Sequence, residues 1–255
     1  MIRGVLVTAR CRSERMPNKC LLPFPDEPVI KHVLDRAQGL GMNVVLCTTH
    51  EPADDELAQL ATHFGYEVYR GHPTNKIRRW ADAVSLNGLD AVHLIDADDP
   101  FFDVCEAHDS LDWLTSEQLD LVRTSNRSDF GMASVGTSIS ASFLTAVAAR
   151  VASLNSDDLD VIPWDLVLRD GDHVKIMPDR YLGVLDSNAR LTLDYPEDYE
   201  MLLLLTRRFG PNTCRFRIER YLQENPAVSK VNLWRSKDFL ARQHDQRAGF
   251  SGGSE

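Results

Sequence analysis

The chain of 255 residues contains no CxxC pair; its five cysteines, Cys11, Cys20, Cys47, Cys105 and Cys214, are widely spaced and odd in number. A disulfide framework and a zinc knuckle are thereby disfavoured, and a reducing, cytoplasmic setting is the expectation. No apolar run approaches the length needed to cross a bilayer, and the N-terminus lacks the apolar core of a signal segment, so a soluble protein with no membrane partner is expected. Neither GxxxxGK[ST] nor GxGxxG occurs, which leaves a P-loop NTPase or a Rossmann dinucleotide site with little support. A broad basic excess is also missing: 28 Lys and Arg face 38 Asp and Glu, for a formal charge of -10. That balance argues against nucleic acid as a partner. Internal repeats, low-complexity blocks and a convincing interdomain linker are absent as well.

What is present is an alternation of strand and helix signals, in a chain whose 43% hydrophobic content suffices for a full core. Ile2 to Val7 reads as a strand. Val29, Ile30, Val33, Leu34 and Ala37 recur at helical spacing, Gly39 and Gly41 end that helix, and Val44 to Cys47 forms a second strand, completing a βαβ unit. A helix through Leu57 to Phe64, a short strand Tyr66 to Tyr69, a helix Lys76 to Leu86 and a strand Ala91 to Ile95 follow. Further strands are expected at Leu119 to Thr124, Ser134 to Ile139, Val174 to Met177 and Leu191 to Asp194. Further helices are expected at Phe143 to Leu154, from Pro196, and at Ile218 to Gln223. The fold class is therefore α/β with a mostly parallel, Rossmann-like mixed sheet in a single domain, residues 1–235, and a C-terminal tail, 236–255, flexible at its end.

Two clusters carry chemistry. Arg3, Arg10, Arg12, Arg15 and Lys19 against Glu14 give the first twenty residues about +4 within an acidic chain. They sit on the loop leaving the first strand, where α/β proteins bind phosphates. Guanidinium and ammonium groups at this spacing let one loop wrap a triphosphate; a basic surface patch is the bland alternative. The second cluster is carboxylate. Asp96, Asp98 and Asp99 follow one strand and Asp194 follows another, so Asp98 and Asp194 could share a magnesium ion with triphosphate oxygens. An Asp-rich turn alone is more often a cap, and Asp198 fits a helix start. His72, His93, His108 and His173 are isolated and read as structural.

The stretch ARCRSERMPNKCL resembles the ARxxSxRxPxKxL opening of the cytidylyltransferase family, which includes the CMP-sugar-acid synthetases and the spore-coat polysaccharide SpsF-like proteins. CTTHEPADDELAQLATHFGYEVYRGHPTNKIRRW is similar to that family's second strand, acidic helix start and RG turn. DADDPFFD is similar to its GDxPxxD element, and LTLDYPEDYEMLLLL to its closing DxPEDxE element. The four pieces occur in the family's order and span about Val5 to Leu205.

The resemblance implies a nucleotide-diphospho-sugar transferase type of fold and a Mg²⁺-dependent cytidylyltransferase that transfers CMP from CTP to a small anionic acceptor, a sugar acid or a phosphonate- or phosphate-bearing molecule, releasing pyrophosphate. It implies Lys19, Arg10 and Arg15 as catalytic residues, and Ala9, Arg10, Ser13, Arg15, Lys19 and Asp98 as nucleotide ligands. Asp98 and Asp194 are implied as the metal pair. Thr48 and Thr49 are weaker nucleotide candidates, a capping role being equally plausible, and Arg79 and Gly131 are weak acceptor contacts. A homodimer is suggested by analogy. Ser128 to Ser134 and Asp158 to Trp164 depart from the family pattern, which leaves the acceptor open. The alternatives are a nucleotidyltransferase using another NTP and a catalytically inactive nucleotide-binding member of a polysaccharide assembly pathway. On this reading Lys19→Ala and Asp98→Ala each abolish pyrophosphate release with little loss of fold.

Overall fold

A computed structural model describes residues 1–124, 135–152, 173–178, 180 and 189–241. Seven strands form one sheet: β1 (Arg3–Thr8), β2 (Asn43–Thr49), β3 (Glu67–Gly71), β4 (Ala91–Asp96), β5 (Leu121–Thr124), β6 (Thr137–Ser140) and β7 (Val174–Met177). Their order is β3-β2-β1-β4-β6-β5-β7. All neighbours pair in parallel except β6, which runs antiparallel to both β4 and β5. The expected mixed, mostly parallel sheet is thus observed, and the parallel pairing of β1 with β2 and β4 puts their carboxyl ends along one edge.

Alternation along the inner strands explains the layering. Val5 and Val7 of β1 with Val44 and Leu46 of β2 enter one core, while Leu6 and Val45 enter the other. Successive side chains of a strand point to opposite faces, and both faces here are buried, so these strands read as continuous apolar runs. The first core is covered by α1 (Val29–Gln38), α2 (Asp55–His63), α6 (Pro196–Phe209) and α7 (Arg215–Glu224). The second is covered by α3 (Lys76–Leu86) and α5 (Ala141–Ala152). A short helix α8 (Pro226–Ser229) follows α7, and residues 235–241 are again helical.

Two differences from the sequence reading stand out. The helix α4 (Val104–Ser116) was not anticipated, although Asp103 caps it by accepting from Glu106 N at 3.0 Å. In the sequence Asp103 figures only as the last residue of the DADDPFFD element, and its Asp-x-x-Glu start signal goes unused there. Leu191 to Asp194 is not a strand: Leu193 N donates to Asp98 O at 2.7 Å and Asp194 N to the Asp198 carboxylate at 3.0 Å. Its backbone groups are satisfied by the β4 loop and by a side chain, so no ladder forms.

The switch to β6 depends on one glycine. Gly136 has φ +95°, and a Cβ there would lie 2.3 Å from Leu94 O and 2.7 Å from the His93 ring. His93 is fully buried, donating from Nε2 to Val135 O at 2.7 Å and accepting from Ser138 at Nδ1 at 2.9 Å. It is structural, as the sequence suggested.

Candidate active site

The loop after β1 is folded on itself before it meets any other element. Cys11 O accepts from both Ser13 N and Asn18 N, at 3.0 and 2.9 Å, and Asn18 adopts a left-handed conformation, φ 59°. Asparagine tolerates that region better than most residues. The turn delivers Lys19 at the start of a 3-10 segment, Lys19–Leu21, with its side chain directed inward. From outside, Asp54 pins the loop: its carboxylate accepts from Cys11 N at 2.6 Å and from the Thr49 hydroxyl, and it is 2% exposed. Burial and the neighbouring Asp54 push the Cys11 thiol up to about 12, so it is a packed, unreactive sulfhydryl.

Lys19 joins three segments. Its Nζ donates to Asp98 Oδ2 at 2.7 Å, to Leu193 O at 2.8 Å and to Asp194 Oδ1 at 3.0 Å. Arg15 reaches the same Asp194 oxygen at 2.5 Å. Burial works against the Lys19 ammonium, yet Asp98 and Asp194 outweigh it and hold its pKa above the ordinary lysine value. For Asp98, burial is again the largest influence and opposes charge. Lys19, Lys76 and Arg15 together still hold its carboxyl below the usual range. Lys76, from the first turn of α3, pairs with Asp96 at the end of β4.

Behind Asp194 stands a fully buried guanidinium. Arg190 donates to Asp194 Oδ2 at 3.3 Å and to both oxygens of Asp198 at 2.8 and 3.0 Å. Asp198 also accepts from Asp194 N and Tyr195 N, each at 3.0 Å, and from Asn232 Nδ2 at 3.0 Å. This carboxylate caps α6 and fixes Asp194, in line with its reading as structural.

The remaining candidates are distributed as follows. Ala9 is buried and bonded to Cys47 O, Arg10 is half-buried, and Ser13 is half-buried with its Oγ accepting from Met16 N at 3.3 Å. Arg12 points outward and pairs with Glu51 at 3.5 Å. Thr48 and Thr49 are buried on β2; the Thr49 oxygen accepts from Glu51 N at 3.2 Å, while Thr48 Oγ1 has no hydrogen-bond partner among the described residues. Arg79 is 1% exposed and donates to His72 O at 2.6 Å, so its guanidinium organises the loop before α3. Gly131 lies outside the described residues. Arg190, Lys76 and Asp54 were missed: Asp54 and Lys76 lie inside the stretch from Cys47 to Trp80 but outside both charge clusters, and Arg190 stands just before the LTLDYPEDYEMLLLL element.

Asp98 and Asp194 already converge on one cation, the Lys19 ammonium, and that donor set suits Mg²⁺, which takes one or two protein carboxylates and fills its shell with phosphate oxygens and water. Among the described residues no group of three or more His, Cys, Asp or Glu is arranged to hold a metal alone. Among them, too, no helix is long and apolar enough to cross a membrane.

A solved cytidylyltransferase of Leptospira borgpetersenii superposes with a TM-score of 0.79 over 90% of this chain and 97% of its own, at 24% identity. An uncharacterized protein of Methanocaldococcus jannaschii is 23% identical over 89% of this chain and 93% of its length. The 3-deoxy-manno-octulosonate cytidylyltransferase of Glaesserella parasuis is 41% identical over 64 residues, 25% of this chain; the match spans about a quarter of that relative's length, 24%. Residues 4–141, which carry the basic loop, Lys76 and Asp98, match the family profile described as cytidylyltransferase, and the chain belongs to that family.

Proposed function

We propose that the protein is a CTP-dependent cytidylyltransferase that transfers CMP to a small anionic acceptor, a sugar acid or a phosphonate- or phosphate-bearing molecule, and releases pyrophosphate. The observation that carries this reading is the meeting of Lys19 and Arg15 with Asp98 and Asp194 at the carboxyl edge of the sheet, where α/β proteins bind their ligands.

In the proposed reaction an acceptor oxygen attacks the α-phosphorus of CTP in line. A bond forms from that oxygen to phosphorus as the bond to the β-phosphate oxygen breaks; a hydroxyl acceptor gives up its proton to solvent, and pyrophosphate departs with the bonding pair. Charge grows on the leaving oxygens, and Arg10, Arg15 and Lys19 lie on the loop that would meet it. Lys19 is the natural donor to the leaving group, because its ammonium stays charged at neutral pH. Asp98 and Asp194 would hold Mg²⁺, whose chemistry when bound is to neutralise phosphate charge and orient the triphosphate. Arg190 and Asp198 keep Asp194 aimed while Lys19 and Arg15 exchange it for phosphate oxygens. No residue needs to form a covalent bond to the nucleotide.

The test is pyrophosphate release with each of the four nucleoside triphosphates against a panel of sugar acids and phosphonates, with and without Mg²⁺. Turnover only with CTP and Mg²⁺ is expected. Turnover with another triphosphate transfers the reading to a different base, and absence of turnover together with absence of a CTP-dependent rise in melting temperature supports an inactive nucleotide-binding member.

A further inference from the structure

Two aromatic rings serve both arginines of the site. The Arg15 guanidinium carbon lies 5.6 Å from the Tyr195 ring centre and 5.9 Å from that of Phe239; for Arg190 the distances are 5.3 and 5.1 Å. Phe239 belongs to residues 235–241, beyond every motif used above, and is nevertheless 8% exposed. Its segment is tethered. Arg235 donates through Nε and Nη2 to both oxygens of Glu197, at 3.2 and 3.0 Å, and its guanidinium lies 4.6 Å from the Tyr195 ring. Glu197 stands in the first turn of α6, the helix that Asp198 caps, so the tether and the carboxylate site share one rigid element.

A guanidinium presents its N–H groups in its plane and its π-face above and below. Rings against the faces therefore leave the edges for oxygens. Arg15 and Arg190 both use their edges on Asp194. We infer that Phe239, delivered by the Arg235–Glu197 pair, is a positioning residue that with Tyr195 holds Arg15 edge-on to the bound phosphates and Arg190 edge-on to Asp194. The identity of the ligand as CTP rests on the proposed function; the ring arrangement does not.

The test uses the full chain and two probes, CTP with Mg²⁺ and inorganic tripolyphosphate, with dissociation constants measured by calorimetry alongside KM and kcat. Phe239→Leu keeps an apolar side chain but removes the ring, and is expected to weaken both probes roughly tenfold, the size of two cation–π contacts. KM for CTP rises with it while kcat changes less, and the melting temperature stays close to that of the parent. Phe239→Tyr restores binding. Should Phe239→Leu fail to fold, Arg235→Gln is read in its place, because it cuts the tether and leaves the ring; the same loss on both probes is expected. Unchanged binding in Phe239→Leu, or Phe239→Tyr as weak as Phe239→Leu, overturns the inference. If the parent binds tripolyphosphate but not CTP, the nucleotide reading is lost and the inference is decided on tripolyphosphate alone; if the parent binds neither, both fall.

Discussion

Replacing Lys19 by methionine removes a cation that bridges the two loops of the site. Its side chain is 9% exposed, and it faces Asp194, 2% exposed, and Asp98, 28% exposed. Removing one partner of a buried ion pair costs about 3–5 kcal/mol, because the charge left behind is uncompensated. Here Arg15 and Arg190 still hold Asp194, and Asp98 has access to water, so the lower end applies, about 3 kcal/mol. For a chain of this size that corresponds to a fall in melting temperature of roughly 6–12 °C. The freed carboxylates should then take a divalent cation without nucleotide. At ~10 mM Mg²⁺ a Kd of ~1 mM would return about 1.4 kcal/mol, so Mg²⁺ should raise the melting temperature of Lys19→Met more than that of the parent. Pyrophosphate release should fall by at least about a hundredfold. The assays are scanning fluorimetry with and without Mg²⁺ and a pyrophosphate-release assay. A variant that melts with the parent, or whose Mg²⁺ shift does not exceed the parent's, refutes the view of Lys19 as the internal counter-ion.

Three other outcomes are expected. Burial lowers the pKa of His32 and His93 to about 4, so on unfolding each takes up a proton that it does not hold when folded; stability should fall as pH drops from about 6.5 towards 4, by roughly 2 kcal/mol per ring at pH 5. Urea midpoints at pH 7 and pH 5 check this, and a flat profile sinks it. Gly136→Ala should cost more than about 2 kcal/mol, since its Cβ meets backbone as well as the His93 ring; retention of the parent's melting temperature would show that the β4–β6 junction adapts. Asp54→Ala should loosen the basic loop, raising KM for CTP several-fold with a smaller effect on kcat, measured by steady-state kinetics.

The first half of the fold was legible because its strands are apolar on both faces and its helices carry apolar residues at regular spacing, as in Val29, Ile30, Val33, Leu34 and Ala37. The pairing of Asp98 with Asp194 was legible only as a juxtaposition at the sheet edge. What brings it about, Leu193 N on Asp98 O, is a backbone contact that no side-chain pattern encodes. Lys19 was read as a nucleotide ligand, but its three acceptors within the protein were not read, and the expectation that its removal spares the fold is revised for that reason. Arg190 and Phe239 left no signal. An arginine four residues before an aspartate is informative only once the chain between them is known to be irregular, and an aromatic residue near a chain end has no period to betray it.

Before any ligand arrives, Arg15, Lys19, Lys76 and Arg190 are each paired with a carboxylate, of Asp96, Asp98, Asp194 or Asp198. In the proposed reaction an incoming triphosphate would compete with resident carboxylates for the same cations, and so would the pyrophosphate that leaves. Binding becomes an exchange of partners in both directions, which limits how tightly the product can be retained. Its signature would be an affinity for CTP that weakens with added salt less steeply than four cations in open solvent would produce.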